Sequence, residues 1–260
     1  MIAQQRHQEA LSNNLANVNT PGYKADQATL RSFPEMLIRQ LGQKNIPTTE
    51  GLKLPVNNLV GSLNTGVYVQ ETVPYFEQGT LKETELLTDL ALINGVMPDE
   101  AGSVFFTVQN ENGDIRYSRN GNFTVDGEGY LVTHNGYYVL DAANNRINTD
   151  GLEFIVTPEG NVQRDGNEIP LGVMYIENTN DLIKEGHDLF NGENAQAVNP
   201  DAAGASFSIK QGFLEGSNVD SAQTMSQMMQ AYRAFEMNQR VLKAYDESLG
   251  KAVNEVGRLG

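Results

Sequence analysis

The stretch QGFLEGSNVDSAQTMSQMMQAYRAFEMNQRVLKAYDESLGKAVNEVGRLG (211–260) decides the fold. Within it Met228, Phe235, Leu242, Leu249 and Val256 recur every seven residues. An apolar residue at that interval marks a helix that faces another helix along one seam, and Tyr232 is placed on the same interface. Ser217, Asn218 and Asp220 are all good N-cap types just ahead of it. From Val219 to Val256 there is one glycine, Gly250, and no proline. At a rise of 1.5 Å per residue such a helix reaches about 60 Å. That is long for a domain of this size, so the helix needs a partner.

The other end of the chain offers one. Residues 2–18, IAQQRHQEALSNNLANV, predict a short helix with Leu11, Leu15 and Val18 on one face at i, i+4 and i+7. Isolated helices of this length are marginal in water. Asn19-Thr20-Pro21-Gly22 then ends it, because proline cannot continue a helix and glycine supplies the turn. The two terminal helices are expected to pair as a coiled coil. The first is much the shorter, so part of the C-terminal seam stays open, and an exposed apolar stripe predicts association with other chains.

Between the helices the pattern changes. Residues 30–42, LRSFPEMLIRQLG, show a brief helical pattern broken by Pro34, and the stretch to Gly66 reads as an extended arm or loop with short β pieces. From Val67 to about Lys210 short β-branched and aromatic runs (VYVQETV, VFFTVQ, YLVTH and NVQR among them) alternate with Asn-Gly and Asp-Gly turns, the strongest short hairpin signal. Residues 178–206 read as loop with a helical fragment at 180–185, and Phe207–Lys210 as a strand. The predicted fold is α+β, mainly β, and discontinuous. Terminal helices pair as a coiled coil, and the centre is an antiparallel β domain of sandwich or barrel type. The expected boundaries are 1–32 for the N-terminal helix and turn, 33–66 for the arm, 67–210 for the β domain and 211–260 for the C-terminal helix.

Composition narrows the function. The 260 residues carry a formal charge of −15, which repels phosphate backbones and argues against a nucleic-acid partner. Mean hydropathy is −0.41, and no stretch approaches the roughly 18–20 apolar residues of a membrane span, so no membrane insertion is expected. The absence of cysteine excludes disulfides, thiolate catalysis and zinc–thiolate sites. His7, His134 and His187 have no ligand spacing. Asp126-Gly127-Glu128 and the turn from Asn110 to Asp114 look faintly like calcium loops but lack the closing glutamate, and hairpin turns explain them better. No phosphate-binding glycine loop and no nucleophilic serine setting appears. Nothing calls for a metal, a cofactor or a catalytic residue, and no enzyme activity is expected.

LSNNLANVNTPGYK (11–24) closely resembles the N-terminal signature of the bacterial flagellar rod and hook proteins, through Asn13, Asn14, Leu15, Ala16, Asn17, Asn19, Thr20, Pro21, Gly22 and Lys24. The family's C-terminal signature is carried by Leu214, Glu215, Ser217, Asn218, Val219, Arg233, Phe235, Glu236 and Met237. Gln78-Gly79, Asp89-Leu90-Ala91, Tyr117, Arg119, Gly121, Phe123, Asp126, Gly129, Leu131-Val132 and Asn135-Gly136 look like its central segments. The resemblance covers nearly the whole chain.

It implies a structural subunit of the flagellar basal body that polymerises through its terminal helices into a helical drive shaft. The implied partners are other copies of itself, neighbouring rod or hook subunits and the flagellar type III export apparatus. Export needs no cleaved signal, and the subunit works outside the cytoplasm, in the periplasm or across the cell wall. Three departures stand out. Family members carry about a dozen residues before the Met-x-Ala-Gln-Gln that opens this chain, so Met1 is expected to mark a truncation. The family's Gly-Asp-Gly-Phe-Phe is drawn out to GVMPDEAGSVFF (95–106). The C-terminal helix resembles proximal-rod members, whereas Asn64-Thr65-Gly66-Val67 resembles distal-rod ones. The competing reading is a cell-wall carbohydrate-binding module or hydrolase, which would need a cleft with paired carboxylates or stacked aromatics.

Overall fold

The computed structural model describes residues 2–34, 36–45, 53–63, 66–164, 166–186, 188–192 and 197–256. Asn64, Thr65, Asp165 and His187 lie outside them. The chain divides into two compact units: Met1–Ala10, Ala28–Thr72 and Met228–Gly260 form the first, Leu11–Gln27 and Val73–Gln227 the second.

The N-terminal helix α1 (Ile2–Ala16) starts in the first unit. Strand β1 (Asp26–Ser32) follows, then β2 (Met36–Asn45), β3 (Lys53–Leu63) and β4 (Val67–Pro74). β2 and β3 form an antiparallel ribbon from Met36 opposite Leu63 to Asn45 opposite Lys53, with one register slip after Ile38. β1 pairs with β4. The helical pattern expected over 30–42 is therefore overturned. Pro34 biases the residue before it away from helix, and the roughly two turns beyond it are too short to form a stable one. The backbone finds its hydrogen bonds across the ribbon instead.

The second unit holds the β core. Its strands in order are β5 (Leu81–Glu83), β6 (Leu90–Asn94), β7 (Ser103–Gln109), β8 (Ile115–Ser118), β9 (Phe123–Val125), β10 (Leu131–Thr133) and β11 (Tyr138–Val139). Then come β12 (Ile155–Val156), β13 (Asn161–Arg164), β14 (Asn167–Pro170), β15 (Val173–Ile176), β16 (Ile183–Gly186), β17 (Leu189–Asn191) and β18 (Ala197–Val198). After the short helix α2 (Pro200–Ala203), β19 (Phe207–Gln211) and β20 (Phe213–Glu215) lead to the long helix α3 (Ser221–Val256). Nine of these strands form one antiparallel sheet centred on β7. β8 lies along one edge of β7, while β15 and β11 share the other. The sheets of the described residues are open, so the barrel half of the expectation does not hold.

Strand β7 explains where the core sits. In SVFFTVQ successive side chains point to opposite faces. Val104, Phe106 and Val108 enter a large cluster with Leu90, Leu131, Phe154 and Tyr175. Phe105 enters a smaller one with Ile176, Leu182 and Phe190. Burying each such side chain contributes roughly 1.5–3 kcal/mol. The tight turns use their own side chains: the Asp126 carboxylate accepts from the N–H groups of Glu128 and Tyr130, and the Asn110 amide oxygen from those of Asn112 and Asp114. Oxygens committed to the local backbone hold a turn, as expected for hairpins.

The expected loop at 178–206 is also corrected. A single 3-10 turn spans Thr179–Asp181, and β16, β17, β18 and α2 follow. The buried Leu189 and Phe190 tie β17 to β8, a pairing that the surrounding Asn, Asp and Gly residues concealed.

Candidate assembly site

The turn after α1 carries the first half of the site. Gly22 has φ +69°, and a Cβ there would lie 2.6 Å from the Arg119 backbone. Only glycine brings the chain this close, and its N–H donates to the backbone carbonyl of Glu215 at 2.8 Å. The side chain of Glu215 is buried beneath it and accepts three donors. Lys24 Nζ lies 2.6 Å and the Gly79 N–H 2.9 Å from Oε1, and Arg119 Nε lies 2.7 Å from Oε2. Lys24 Nζ also donates to the carbonyl of Glu77 at 2.7 Å. The outer nitrogens of Arg119 donate to the carbonyls of Val104 and Leu92. All three charged side chains are 1% exposed.

A buried charge group survives only when every member is paired and hydrogen-bonded. Burial alone pushes the Glu215 carboxyl up, but the Arg119 and Lys24 charges and their hydrogen bonds outweigh it and hold it below its ordinary range. Burial pulls the Lys24 ammonium down to about 8, only partly offset by Glu215. Two cations against one anion make the hub asymmetric, which decides what each substitution costs.

Two asparagines complete the junction. Asn14 accepts at Oδ1 from the Asp26 N–H at 2.8 Å and the Tyr23 hydroxyl at 3.2 Å, and its amide donates to the Asp26 carbonyl. Asn218 accepts from the Ala25 N–H at 2.7 Å and donates to the Tyr75 carbonyl at 2.7 Å. The strands that enter and leave the arm are thus fixed from both ends of the sequence. Four expected residues play local parts. Asn13 and Asn17 bond to each other, Thr20 donates to Asn17, and Ser217 accepts from the Val219 N–H. Asn19 is exposed and Pro21 half-buried. Lys24, Arg119 and Glu215, the centre of the site, were visible as matches to a family pattern but were assigned no role. A charged residue within two positions of a glycine in each of three separated motifs is the available signal.

The expected seam residues divide. Leu11 is buried at 5% exposure, and Leu15, Val18, Met228 and Phe235 are half-buried. Tyr232, Leu242 and Leu249 are exposed at 50–62%, and Met229, Met237, Val241, Tyr245 and Val253 at 52–71%. The Val256 side chain lies outside those described. Asp220 caps α3 by accepting at Oδ1 from the N–H groups of Ala222 and Gln223. Within the first unit Asn238 donates to Gln4 at 2.5 Å, and Gln8 lines a small cavity with Met228, Met229, Tyr232 and Arg233. From Gln4 to Gln8 the neighbours on α3 fall from 238 toward 228, so the two helices run in opposite directions at this contact.

Three family descriptions match the chain: "Flagella basal body rod protein" over residues 1–24, "Flagellar hook protein FlgE/F/G D1 domain" over 101–164 and "Flagellar basal body rod FlgEFG protein C-terminal" over 210–255. The flagellar hook-basal body complex protein FlhO of Bacillus subtilis (strain 168) is 41% identical, the alignment covering 100% of this chain and 96% of that protein. The flagellar basal-body rod protein FlgG of Borreliella burgdorferi is 32% identical over 98% of this chain and 94% of its own length. FlgG of Bacillus subtilis is 30% identical over 95% and 92%.

Proposed function

Because the chain belongs to the family of flagellar basal-body rod and hook proteins, we propose that it polymerises through its terminal helices into part of the flagellar drive shaft. It is a structural subunit of the flagellar basal body, within the hook–basal body complex. The relatives are structural proteins rather than enzymes, and they give no support to a cell-wall carbohydrate-binding or hydrolytic role.

The observation that carries the proposal is the exposed apolar surface of α3. From Met229 to Val253 it presents eight large apolar side chains that are half-exposed or more. So much exposed apolar surface on one helix supports a subunit whose core is complete and whose seam awaits neighbours. Pairing of the helices as a coiled coil, with Leu11, Leu15 and Val18 on the seam of Met228, Tyr232, Phe235, Leu242, Leu249 and Val256, is part of the proposal. So are export through the flagellar apparatus and contacts with neighbouring rod or hook subunits. Leu242→Asp tests it: the variant folds and is exported, but cells carrying it fail to swim and their basal bodies end before this subunit. Normal motility with complete basal bodies would overturn the proposal.

A further inference from the structure

A cleft of about 450 Å³ opens in the second unit between Pro74–Glu77 on one side and Glu100–Gly102 with Thr179 and Asn180 on the other. Both walls are built rather than loose. The Tyr75 N–H donates to the Ala25 carbonyl at 2.8 Å, and Asn218 and Lys24 hold the carbonyls of Tyr75 and Glu77. The Phe76 ring packs edge-on against Phe105 and Phe190. Opposite, the Thr179 N–H donates to the Ala101 carbonyl at 3.1 Å, and the Tyr175 hydroxyl donates to Asp99 at 3.0 Å. Gly102 is required there, since a Cβ would fall 2.0 Å from that hydroxyl. The cleft therefore has an aromatic side, with Tyr75 48% exposed, and a carboxylate on each rim, Glu77 and Glu100. Neither carboxylate lies within ion-pair distance of a cation among the described residues, and of the two only Glu77 feels the charge of the buried Lys24 ammonium.

The charge of the chain says what fits. The second unit holds 25 Asp and Glu against 8 Lys and Arg, a net −17. The first holds 8 against 10, a net +2. Two copies placed β core against β core repel, whereas the first unit of one copy is attracted to the second unit of another. In a head-to-tail polymer every contact joins two different surfaces, which is the arrangement this asymmetry favours.

We propose that this cleft is an acceptor site for a second copy of the chain, taking a lysine- or arginine-bearing apolar segment of that copy's first unit. The proposal rests on the self-assembly reading above. The aromatic side takes the aliphatic stem of the incoming side chain, and Glu77 and Glu100 flank its charged head.

The chain has no cysteine, so Asn180→Cys places a single thiol at the exposed rim. Full-length variant is mixed as ¹⁵N-labelled and unlabelled copies, sedimented to measure assembly and treated with a short thiol–amine crosslinker. The expected product joins the introduced thiol of one copy to a first-unit lysine of the other, with a yield that falls as salt rises. A second variant adding Glu100→Arg, shown folded by its circular dichroism, should cut that yield about tenfold or more, because like charges face each other. If polymers form but the links are absent, lie within one copy or are unchanged by Glu100→Arg, the cleft assignment falls and self-assembly stands. If no species larger than a monomer sediments, both fall.

Discussion

The Lys24 ammonium and the Glu215 carboxylate, 191 residues apart in the chain, meet at 2.6 Å in the interior of the β unit. Arg119 reaches the other oxygen of the same carboxylate. The N-terminal turn, the end of β8 and the end of β20 thus converge on one buried anion. Removing it leaves two buried cations facing each other. We expect Glu215→Gln to destabilise the β unit by about 3–5 kcal/mol, the range for breaking a buried ion pair from one side. Lys24→Met leaves a neutral Arg119–Glu215 pair and an aliphatic chain of similar length, and should cost only about 1–2 kcal/mol, as for a lost buried hydrogen bond. Urea unfolding followed by tyrosine fluorescence, which no tryptophan obscures, measures both. Equal costs would show that the asymmetry of the hub is unimportant.

The same hub sets an acid limit. The Glu215 carboxyl titrates lower in the folded chain than its ordinary 4.5, so its contribution is fully present above pH 4.5 and disappears as pH falls through the folded value. Lys24 has the opposite consequence. Its folded value of about 8 lies below the ordinary 10.5, so the cost of burying its charge is full below pH 8 and shrinks between 8 and 10.5. Unfolding free energy measured against pH should therefore lose part of its acid decline in Glu215→Gln. In Lys24→Met it should lose a rise on the alkaline side. Parallel curves for wild type and both variants would contradict this assignment.

Gly22 tests whether the N-terminal turn depends on backbone proximity. Its positive φ costs an alanine roughly 1 kcal/mol, and the Cβ collides with the Arg119 backbone besides. We expect Gly22→Ala to cost about 2–4 kcal/mol and to release residues 2–25 to limited proteolysis while β7 and its neighbours stay protected. Gly121→Ala, where a Cβ would lie 1.7 Å from the Leu90 carbonyl, is the control: it should destabilise the core without selective cleavage at the N-terminus.

Much of this was legible in the chain. The period-two pattern of VFFTVQ, the Asn-Gly turns and the long seven-residue repeat each act locally, and the strands and α3 formed where those patterns lay. The stretch 30–42 misleads because apolar residues at helical spacing mimic a helix over so short a span. β2 shows instead that pairing with the strand that follows it decides the outcome. The hub was not legible from pattern at all. Lys24, Arg119 and Glu215 look like surface residues in sequence, since charged residues are mostly exposed. What buries them is the convergence of the N-terminal turn and two distant strand ends, and no local signal reports that. Nor does spacing tell which seam positions are covered, because Leu11 and Leu249 carry the same side chain on equally periodic helices.

That last pair provides a direct separation of folding from assembly. Leu11 is 5% exposed and Leu249 62%. Truncating a buried leucine removes its transfer free energy and leaves a cavity, typically about 2–5 kcal/mol. An exposed one changes stability by no more than about 0.5 kcal/mol. In the isolated chain Leu11→Ala should therefore lower the unfolding midpoint clearly, while Leu249→Ala leaves it in place. In assembly the order should reverse. If the proposed seam is right, Leu249 makes its contact only between copies, so Leu249→Ala should raise the concentration needed for polymer formation. Leu11→Ala, at a temperature where it is still folded, should assemble as wild type does. Sedimentation at matched concentrations measures both. If Leu249→Ala proves neutral in stability and in assembly alike, the exposed end of α3 is not part of the polymer contact.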